Sequence, residues 1–324
     1  MKNKLFTLIA ALGLSTTLLA SGITAISTTS DVSPQSGASI VQVQPSLGFG
    51  DGVNLQPSYY NSGNVNFGWN VLEQYTRVKT VRIEIDPDNS TPQEAQNWIA
   101  QAQSHGYYVI ATYHSIPGNG SDNTSYLTAA ANYWVQNYKY LAGGGQLTIN
   151  LANEWGSHDL TATQYAVDYN QAIATVRTVY DGPIIIDAPG WGQECEVAAN
   201  AIMGKDTTGG VKITDPNIIV SVHIYPPAWD QYENHVLQTS DLDYLAASGA
   251  KCMVGEFGSI GDGKADWSGL VQHAITLGWP VLAWAWNGDG GQMNMMSPAW
   301  SQNAQPTDNQ IGISSYFSQV YPLL

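Results

Sequence analysis

Two glutamates, Glu154 and Glu256, stand 102 positions apart in similar settings. Leu147 to Ala152 is an apolar run that leads into Asn153-Glu154-Trp155-Gly156, and Met253-Val254-Gly255 leads into Glu256-Phe257-Gly258. A charge at the end of an apolar strand is costly unless it is paired or lies in a wet cleft. A pair of carboxyl groups in one cleft can divide a hydrolysis between them: one attacks or activates water and the other protonates the leaving oxygen. Either glutamate alone could be a solvated rim residue. Two at equivalent strand ends, flanked by Asn153, Tyr225 and tryptophans, point to a shared cleft.

Other strand-like runs deliver further polar and aromatic groups. The second ends near Arg82 and Glu84, the third in Tyr113-His114, and the fifth in Asp187 followed by Trp191-Gly192-Gln193. The sixth carries His223 and Tyr225. The eighth carries Trp284 and Trp286, two apart and so expected on one strand face. Other chemistry finds little support. Asp86-Pro87-Asp88-Asn89-Ser90 begins like a calcium loop, but Thr91 stands where the turn glycine belongs and Asn97 where the bidentate glutamate belongs. No serine has glycine at both −2 and +2, and the six histidines form neither an HExxH motif nor a Cys/His cluster. The expectation is no metal and no cofactor. His105, His235 and His273 are expected on helices and solvated, and His158 is a candidate cleft residue. Asn89, Asn119 and Asn123 head N-x-Ser/Thr triplets, which matter only where a host glycosylates.

These groups need a scaffold. The runs Val78–Ile85, Tyr107–Tyr113, Leu147–Ala152, Pro183–Asp187, Ile218–Tyr225, Lys251–Phe257 and Pro280–Trp286, with an earlier one inside Leu47–Leu55, are mostly continuous apolar segments rich in Ile and Val. That is the pattern of parallel strands covered on both faces. Helical stretches intervene with their own signals. Thr91-Pro92-Gln93-Glu94 reads as a capping box with proline at the first helical position, and Gly106 ends that helix. Thr161 with Gln164 repeats the box, Ser240 opens a helix ended by Gly249, and Gly278 ends another. Eight strand–helix units in one domain predict a (β/α)8, or TIM, barrel, whose functional groups gather at the C-terminal ends of the strands. The competing doubly wound sheet needs a phosphate-binding glycine turn, and Leu47-Gly48-Phe49-Gly50-Asp51-Gly52 lacks the third glycine at the right spacing.

Composition narrows the function classes. The chain has 324 residues, 44% apolar and 11% charged, with 11 Trp and 18 Tyr, which excludes a disordered protein. Eleven basic against 26 acidic residues give a net charge of −15, unsuited to nucleic acid or an anionic membrane surface. Residues 1–25 read as a secretory signal peptide: a basic head with Lys2 and Lys4, an apolar stretch Leu5–Leu19 too short for a stable span, and the small residues Ala20-Ser21-Gly22. Residues 26–45 form a Ser/Thr-rich tail or linker, and 46–324 the catalytic barrel. Export permits a disulfide, yet Cys195 and Cys252 fall at opposite strand ends, about 15 Å apart for a five-residue strand, so no bridge is expected. The tryptophans split into two sets. Trp98 and Trp134, with Tyr133 and Tyr138, lie on helices and are expected in packing, whereas Trp155, Trp191, Trp229 and Trp300 fall in loops at the functional face.

The string Ile149-Asn150-Leu151-Ala152-Asn153-Glu154, followed by Val254-Gly255-Glu256-Phe257-Gly258, resembles glycoside hydrolase family 5. Thr80-Val81-Arg82-Ile83, His114, Ser221-Val222-His223-Ile224-Tyr225 and Trp284 follow in the family's order, over about residues 47–320. The resemblance implies a retaining (β/α)8 glycosidase with Glu154 as acid/base and Glu256 as nucleophile. It further implies that Asn153 holds the 2-hydroxyl of the reacting sugar and that Tyr225 and Arg82 keep Glu256 ionised. His223 and His114 would position sugar and acid/base, and Trp284 would lie under the sugar ring. Trp286, Trp191, Gln193 and Trp155 complete the candidate binding residues.

Asp187-Ala188-Pro189-Gly190-Trp191-Gly192-Gln193 and Trp284-Ala285-Trp286-Asn287-Gly288-Asp289-Gly290-Gly291 are similar to bacterial β-mannanases of that family. Trp155 departs from the proline common after the acid/base, and neither the Pro226-Pro227-Ala228-Trp229 loop nor Met293-Asn294-Met295-Met296 matches. The expectation is therefore a secreted, monomeric endo-β-1,4-mannanase acting on β-1,4-linked polysaccharide without stable membrane association. A cellulase of the same family is the alternative, and a noncatalytic carbohydrate-binding barrel a remote one, since it would keep an aromatic rim but lose a carboxylate.

Overall fold

The computed structural model describes Gln44 and residues 46–206, 209–302 and 305–324. The expected leader over 1–25 and the tail, apart from Gln44, lie outside the described residues. Eight parallel strands close into a barrel: β1 Gly52–Leu55, β2 Thr80–Ile85, β3 Tyr108–Tyr113, β4 Thr148–Asn150, β5 Ile184–Asp187, β6 Ile218–Ile224, β7 Lys251–Phe257 and β8 Val281–Asn287. Each pairs with its sequence neighbours, and β8 closes on β1 through Gly52 opposite Leu282. The longer helices between them are α1 Pro92–Ser104, α2 Thr124–Ala142, α3 Ala162–Val176, α4 Cys195–Met203, α5 Thr239–Ala247 and α6 Trp267–Thr276.

Local sequence accounts for most helix boundaries. Thr91 and Glu94 form the reciprocal capping box that starts α1, and the Thr161 side chain caps α3 through the Gln164 amide. α5 starts earlier than Ser240, with Asp241 Oδ2 accepting from the Gln238 N–H (2.8 Å). His235 lies on a two-stranded hairpin, Trp229–Asp230 with His235–Val236, rather than on a helix. Both cysteines are free and buried. Among the described residues no helix is long and apolar enough to cross a membrane.

Strand alternation builds two layers inside the barrel. Its lower half is filled by Phe49, Ile110, Ile185, Ile219, Met253 and Leu282. On β2, Val81, Ile83 and Ile85 join the shell between strands and helices. Their alternates Arg82 and Glu84 belong to a buried polar layer with Asn54, Asn150, Asp187 and His223. An apolar floor beneath a polar upper layer makes the C-terminal mouth the place for chemistry.

Two departures from regular strands matter there. β4 is regular only to Asn150, shorter than its apolar run; the Leu151 and Asn153 amides still bond the Ile185 and Tyr113 carbonyls before the chain turns at Glu154. On β8 the register against β1 jumps, with Val53 opposite Ala283 but Leu55 opposite Asn287. That slip breaks the alternation between Trp284 and Trp286, and the Trp284–Ala285 peptide within it is cis.

Candidate active site

Arg82 of β2 is fully buried at the centre of the polar layer. Its Nη1 donates to Glu256 Oε1 (2.9 Å), Glu84 Oε1 (3.0 Å) and Asn54 Oδ1 (2.8 Å). Its Nη2 donates to Asn153 Oδ1 (2.6 Å) and its Nε to Asn150 Oδ1 (2.9 Å). A planar cation with fixed forks suits this work, since one side chain orients groups from β1, β2, β4 and β7 together. With its Oδ1 held by Arg82, Asn153 has its Nδ2 without a protein partner among the described residues.

Glu256, on β7, also accepts from the Tyr225 hydroxyl at Oε2 (2.8 Å). Burial pushes its carboxyl up. The charges of His223 and Arg82 and the bonds from Tyr225 and Arg82 outweigh that push and hold it below its ordinary value.

Glu154 sits just beyond β4 with φ = 48°, a left-handed conformation uncommon for a residue with a side chain. Its peptide is pinned from both sides: its N–H donates to Asp187 Oδ2 (2.9 Å) and its carbonyl accepts from Gly120 N–H (2.7 Å). Such strain persists only where the surroundings over-determine it. Its Oε1 accepts from His223 Nδ1 (2.9 Å) and its Oε2 from Asn119 Nδ2 (3.2 Å). Burial, with the Glu256 charge added, raises the proton affinity of this carboxyl, although the His223 bond acts against the rise. The two glutamates thus have opposite tendencies in one site, as an acid and an anion require.

His223 links them, with Nδ1 3.6 Å from Glu256 Oε2 as well as bonded to Glu154. Burial disfavours its charge, but Glu256, Asp187 and Glu154 together push its pKa to about 9. Gly255 makes room for this ring: a Cβ there would lie 2.1 Å from Ser221 Oγ and 3.1 Å from His223 Nε2. Glu84, buried beside Arg82, accepts from Gln56 Nε2 (2.7 Å). Burial and the Glu256 charge raise its pKa to about 8 despite Arg82.

Oxygens of Glu154 and Glu256 and a ring nitrogen of His223 lie within 4.8 Å of one another, the one such trio among the described residues. A divalent cation there would face both the Arg82 guanidinium and a protonated His223, so the trio suits proton traffic better than metal binding. Asp86, the start of the calcium-like loop, is engaged by Tyr59, Asp88 and Asn89 as an ordinary turn.

The structure brings together Glu154, Glu256, Arg82, Asn153, His223 and Tyr225. His114 lies one contact further out, bonded to Tyr59 (2.6 Å) and 3.6 Å from Glu84. Trp284 borders the mouth with its Nε1 on Asp289 (2.8 Å). Trp191 is 40% exposed and lies over Gly120, where a Cβ would meet its ring at 2.2 Å.

Three aromatic assignments need correction. Trp155 is 1% exposed, bonds the Asn123 carbonyl and packs edge-on against Tyr169 between α2 and α3, because the left-handed Glu154 turns the next side chain away from the mouth. Trp286 is buried in the outer shell, bonded to the Phe67 carbonyl (2.7 Å), as the β8 register slip dictates. Trp300 is likewise buried and bonded to the Asn66 carbonyl. Gln193 uses its side-chain oxygen to hold the Trp229 amide (2.9 Å), fastening the hairpin beyond β6. His158 pairs with buried Glu194 beside Trp191.

Asn54, Asn150 and Asp187 take part without having been assigned a role from sequence. Polar residues at inward positions of apolar strands were the available signal. Asn119 had none beyond its triplet, since its place depends on how a loop closes.

The profile described as cellulase (glycosyl hydrolase family 5) matches residues 62–290. A mannan endo-1,4-beta-mannosidase of Streptomyces lividans is 26% identical over 265 residues, 75% of this chain and 66% of that protein. A beta-mannanase/endoglucanase A of Caldicellulosiruptor saccharolyticus is 27% identical over 240 residues, 68% of this chain and 17% of that protein. The chain thus spans less than two thirds of the length of these relatives. Among solved structures, the catalytic domain of a mannanase from Streptomyces sp. SirexAA-E superposes with a TM-score of 0.63 at 22% identity, covering 91% of this chain and 94% of that one.

Proposed function

Because the chain belongs to glycosyl hydrolase family 5, we propose that it hydrolyses β-1,4-linked polysaccharide with net retention, mannan in the first place. The observation that carries this reading is the approach of Glu154 and Glu256 oxygens to within 4.8 Å. Retaining glycosidases hold their carboxyl groups about 5–5.5 Å apart, whereas inverting ones leave about 6.5–9.5 Å for a water.

In this mechanism Glu256, kept anionic by Arg82, Tyr225 and His223, attacks the anomeric carbon. Glu154 protonates the departing glycosidic oxygen. The Glu256 charge disappears in the resulting ester, and with it one cause of the raised proton affinity of Glu154. Glu154 then takes a proton from water, whose oxygen displaces Glu256 and restores both groups. The free Nδ2 of Asn153 suits the 2-hydroxyl, and Trp284 offers a flat face for the sugar ring.

Mannan is favoured by the loop motifs after β5 and on β8 and by relatives named as mannanases. Cellulose is the second reading, since one relative carries both activities in its name. A noncatalytic barrel is disfavoured by the presence of both carboxylates. We place the protein outside the cytoplasm, on the strength of the leader-like residues 1–25.

Reducing-sugar release from mannan and from carboxymethylcellulose separates the two substrates, and proton NMR of the first product reads its anomeric form. Mannan cleavage that first yields the β-anomer is expected. Cleavage confined to the cellulose derivative selects the second reading, and first release of the α-anomer overturns the retaining mechanism.

A further inference from the structure

Glu154 Oε2 has a partner outside the barrel strands. Asn119 lies in the loop after β3 and directs Nδ2 at Glu154 Oε2 (3.2 Å) and at His114 Nε2 (3.5 Å). Its own Oδ1 is buried without a partner among the described residues. A buried, unbonded amide oxygen costs stability, so something must hold the amide in this sense. The neighbouring hydrogen bonds explain what does.

Asp86 is an acceptor, taking the Asp88 amide and Asn89 Nδ2 as well as the Tyr59 hydroxyl (2.6 Å). The single Tyr59 proton therefore points at Asp86, and the Tyr59 oxygen must accept from His114 Nδ1 (2.6 Å). Burial keeps His114 neutral by lowering its pKa, so Nε2 carries a lone pair. The buried Glu84 carboxyl, 3.6 Å from that nitrogen, keeps its proton up to about pH 8 and does not contest this tautomer. A flipped Asn119 amide would set its oxygen against both the Nε2 lone pair and a Glu154 oxygen. Only the observed sense, with NH2 toward both acceptors, avoids that repulsion.

We propose that Asn119 is a positioning residue for Glu154, a dedicated donor to Oε2 whose sense is set by Asp86, Tyr59 and His114. Because His223 occupies Oε1, Oε2 is the oxygen left to exchange protons with the substrate. The Asn119 donor favours the ionised form of Glu154, which the second half of the reaction needs. It acts against burial and against the nearby Glu256 and Asp187 carboxylates, on the same side as protonated His223, with protonated Glu84 and neutral His114 and Tyr225 completing the surroundings. The Asn119-Gly120-Ser121 triplet is thereby a poor acceptor for a glycan, since its amide nitrogen is engaged.

This rests on Glu154 being the acid/base. The test compares wild type, Asn119→Ala, Tyr59→Phe, the double variant and Glu154→Ala on two substrates. With mannan, the alkaline limb of kcat/KM reports loss of the acid. With an aryl β-mannoside bearing a dinitrophenol leaving group, no acid is needed for the first step, and the acid limb of kcat reports the base. Asn119→Ala and Tyr59→Phe should both move both limbs to higher pH and lower kcat on the aryl substrate on the order of ten-fold. The double variant should be no worse than Asn119→Ala alone. Limbs that stay in place in both single variants, or losses that multiply in the double variant, overturn the proposal. If Asn119→Ala does not fold, Tyr59→Phe carries the same comparison. A limb lost in Glu154→Ala but unmoved in the other variants overturns this proposal alone. A limb that survives Glu154→Ala overturns the acid/base reading, and this proposal with it.

Discussion

Glu154 and Glu256 present carboxylate oxygens within 4.8 Å of one another, and His223 Nδ1 stands between them, 2.9 Å from the first and 3.6 Å from the second. The two carboxyls are nonetheless pushed in opposite directions, Glu154 up and Glu256 down. Arg82 and Tyr225 bond to Glu256 and not to Glu154. That asymmetry in donors, rather than any difference between the two glutamates themselves, favours the charge on the β7 carboxyl over that on the carboxyl at the turn after β4.

Replacing Glu256 by Gln should lower kcat on mannan roughly 10^4-fold or more, with an unchanged circular dichroism spectrum. Wild-type-like turnover by this variant would remove Glu256 from the nucleophile role.

The corrected tryptophans give a paired test. Trp155→Ala should destabilise the fold by roughly 3–5 kcal/mol, because a large buried side chain leaves a cavity. Trp191→Ala should leave the melting temperature unchanged and raise KM for long substrates by roughly ten-fold or less. A normal melting temperature for the first variant, or a large loss of stability in the second, would reverse the two assignments.

Gly255→Ala places a methyl group 2.1 Å from Ser221 Oγ and 3.1 Å from His223 Nε2, so the Ser221 hydroxyl must rotate away and the His223 ring must give. The expected cost is about 1–3 kcal/mol of stability, together with a fall in kcat larger than any change in KM. Thermal melts and steady-state kinetics on the same preparation check both. Full activity would show that His223 tolerates displacement.

Glu84 links stability to pH. Its pKa is near 4.5 when unfolded and about 8 when folded, so between those values the folded chain holds a proton that the unfolded chain has released. Its contribution is fully present below about pH 4.5 and is lost as pH rises through about 8. His223, raised from 6.5 to about 9, loses its contribution in the same direction over that higher interval. Gln at position 84 does not titrate, so the stability of Glu84→Gln relative to wild type should grow between pH 4.5 and 8 and then level off. Melting temperatures measured across that range check the sign, and a constant difference would refute it.

The barrel and the two glutamates were legible in the chain because both depend on local patterns. Continuous apolar runs mark strands covered on both faces, and a charged residue closing such a run marks a strand end at the mouth. Thr91 and Glu94 show the same legibility for helix starts.

What the sequence could not decide were features set by partners distant in the chain. Trp284 and Trp286 have the spacing of one strand face, yet a register slip against β1 sends the second into the outer shell. Trp155 follows a catalytic candidate, but a left-handed residue before it turns it inward. Asn119 reads as a glycosylation triplet until loop closure lays it on Glu154, and the sense of its amide depends on a tyrosine 60 positions earlier. Residue type and periodicity are properties of a short window of chain. The direction of a side chain at a slipped strand, a strained turn or a closed loop is decided by steric exclusion and hydrogen bonding among elements far apart in sequence, and only the folded molecule assembles those.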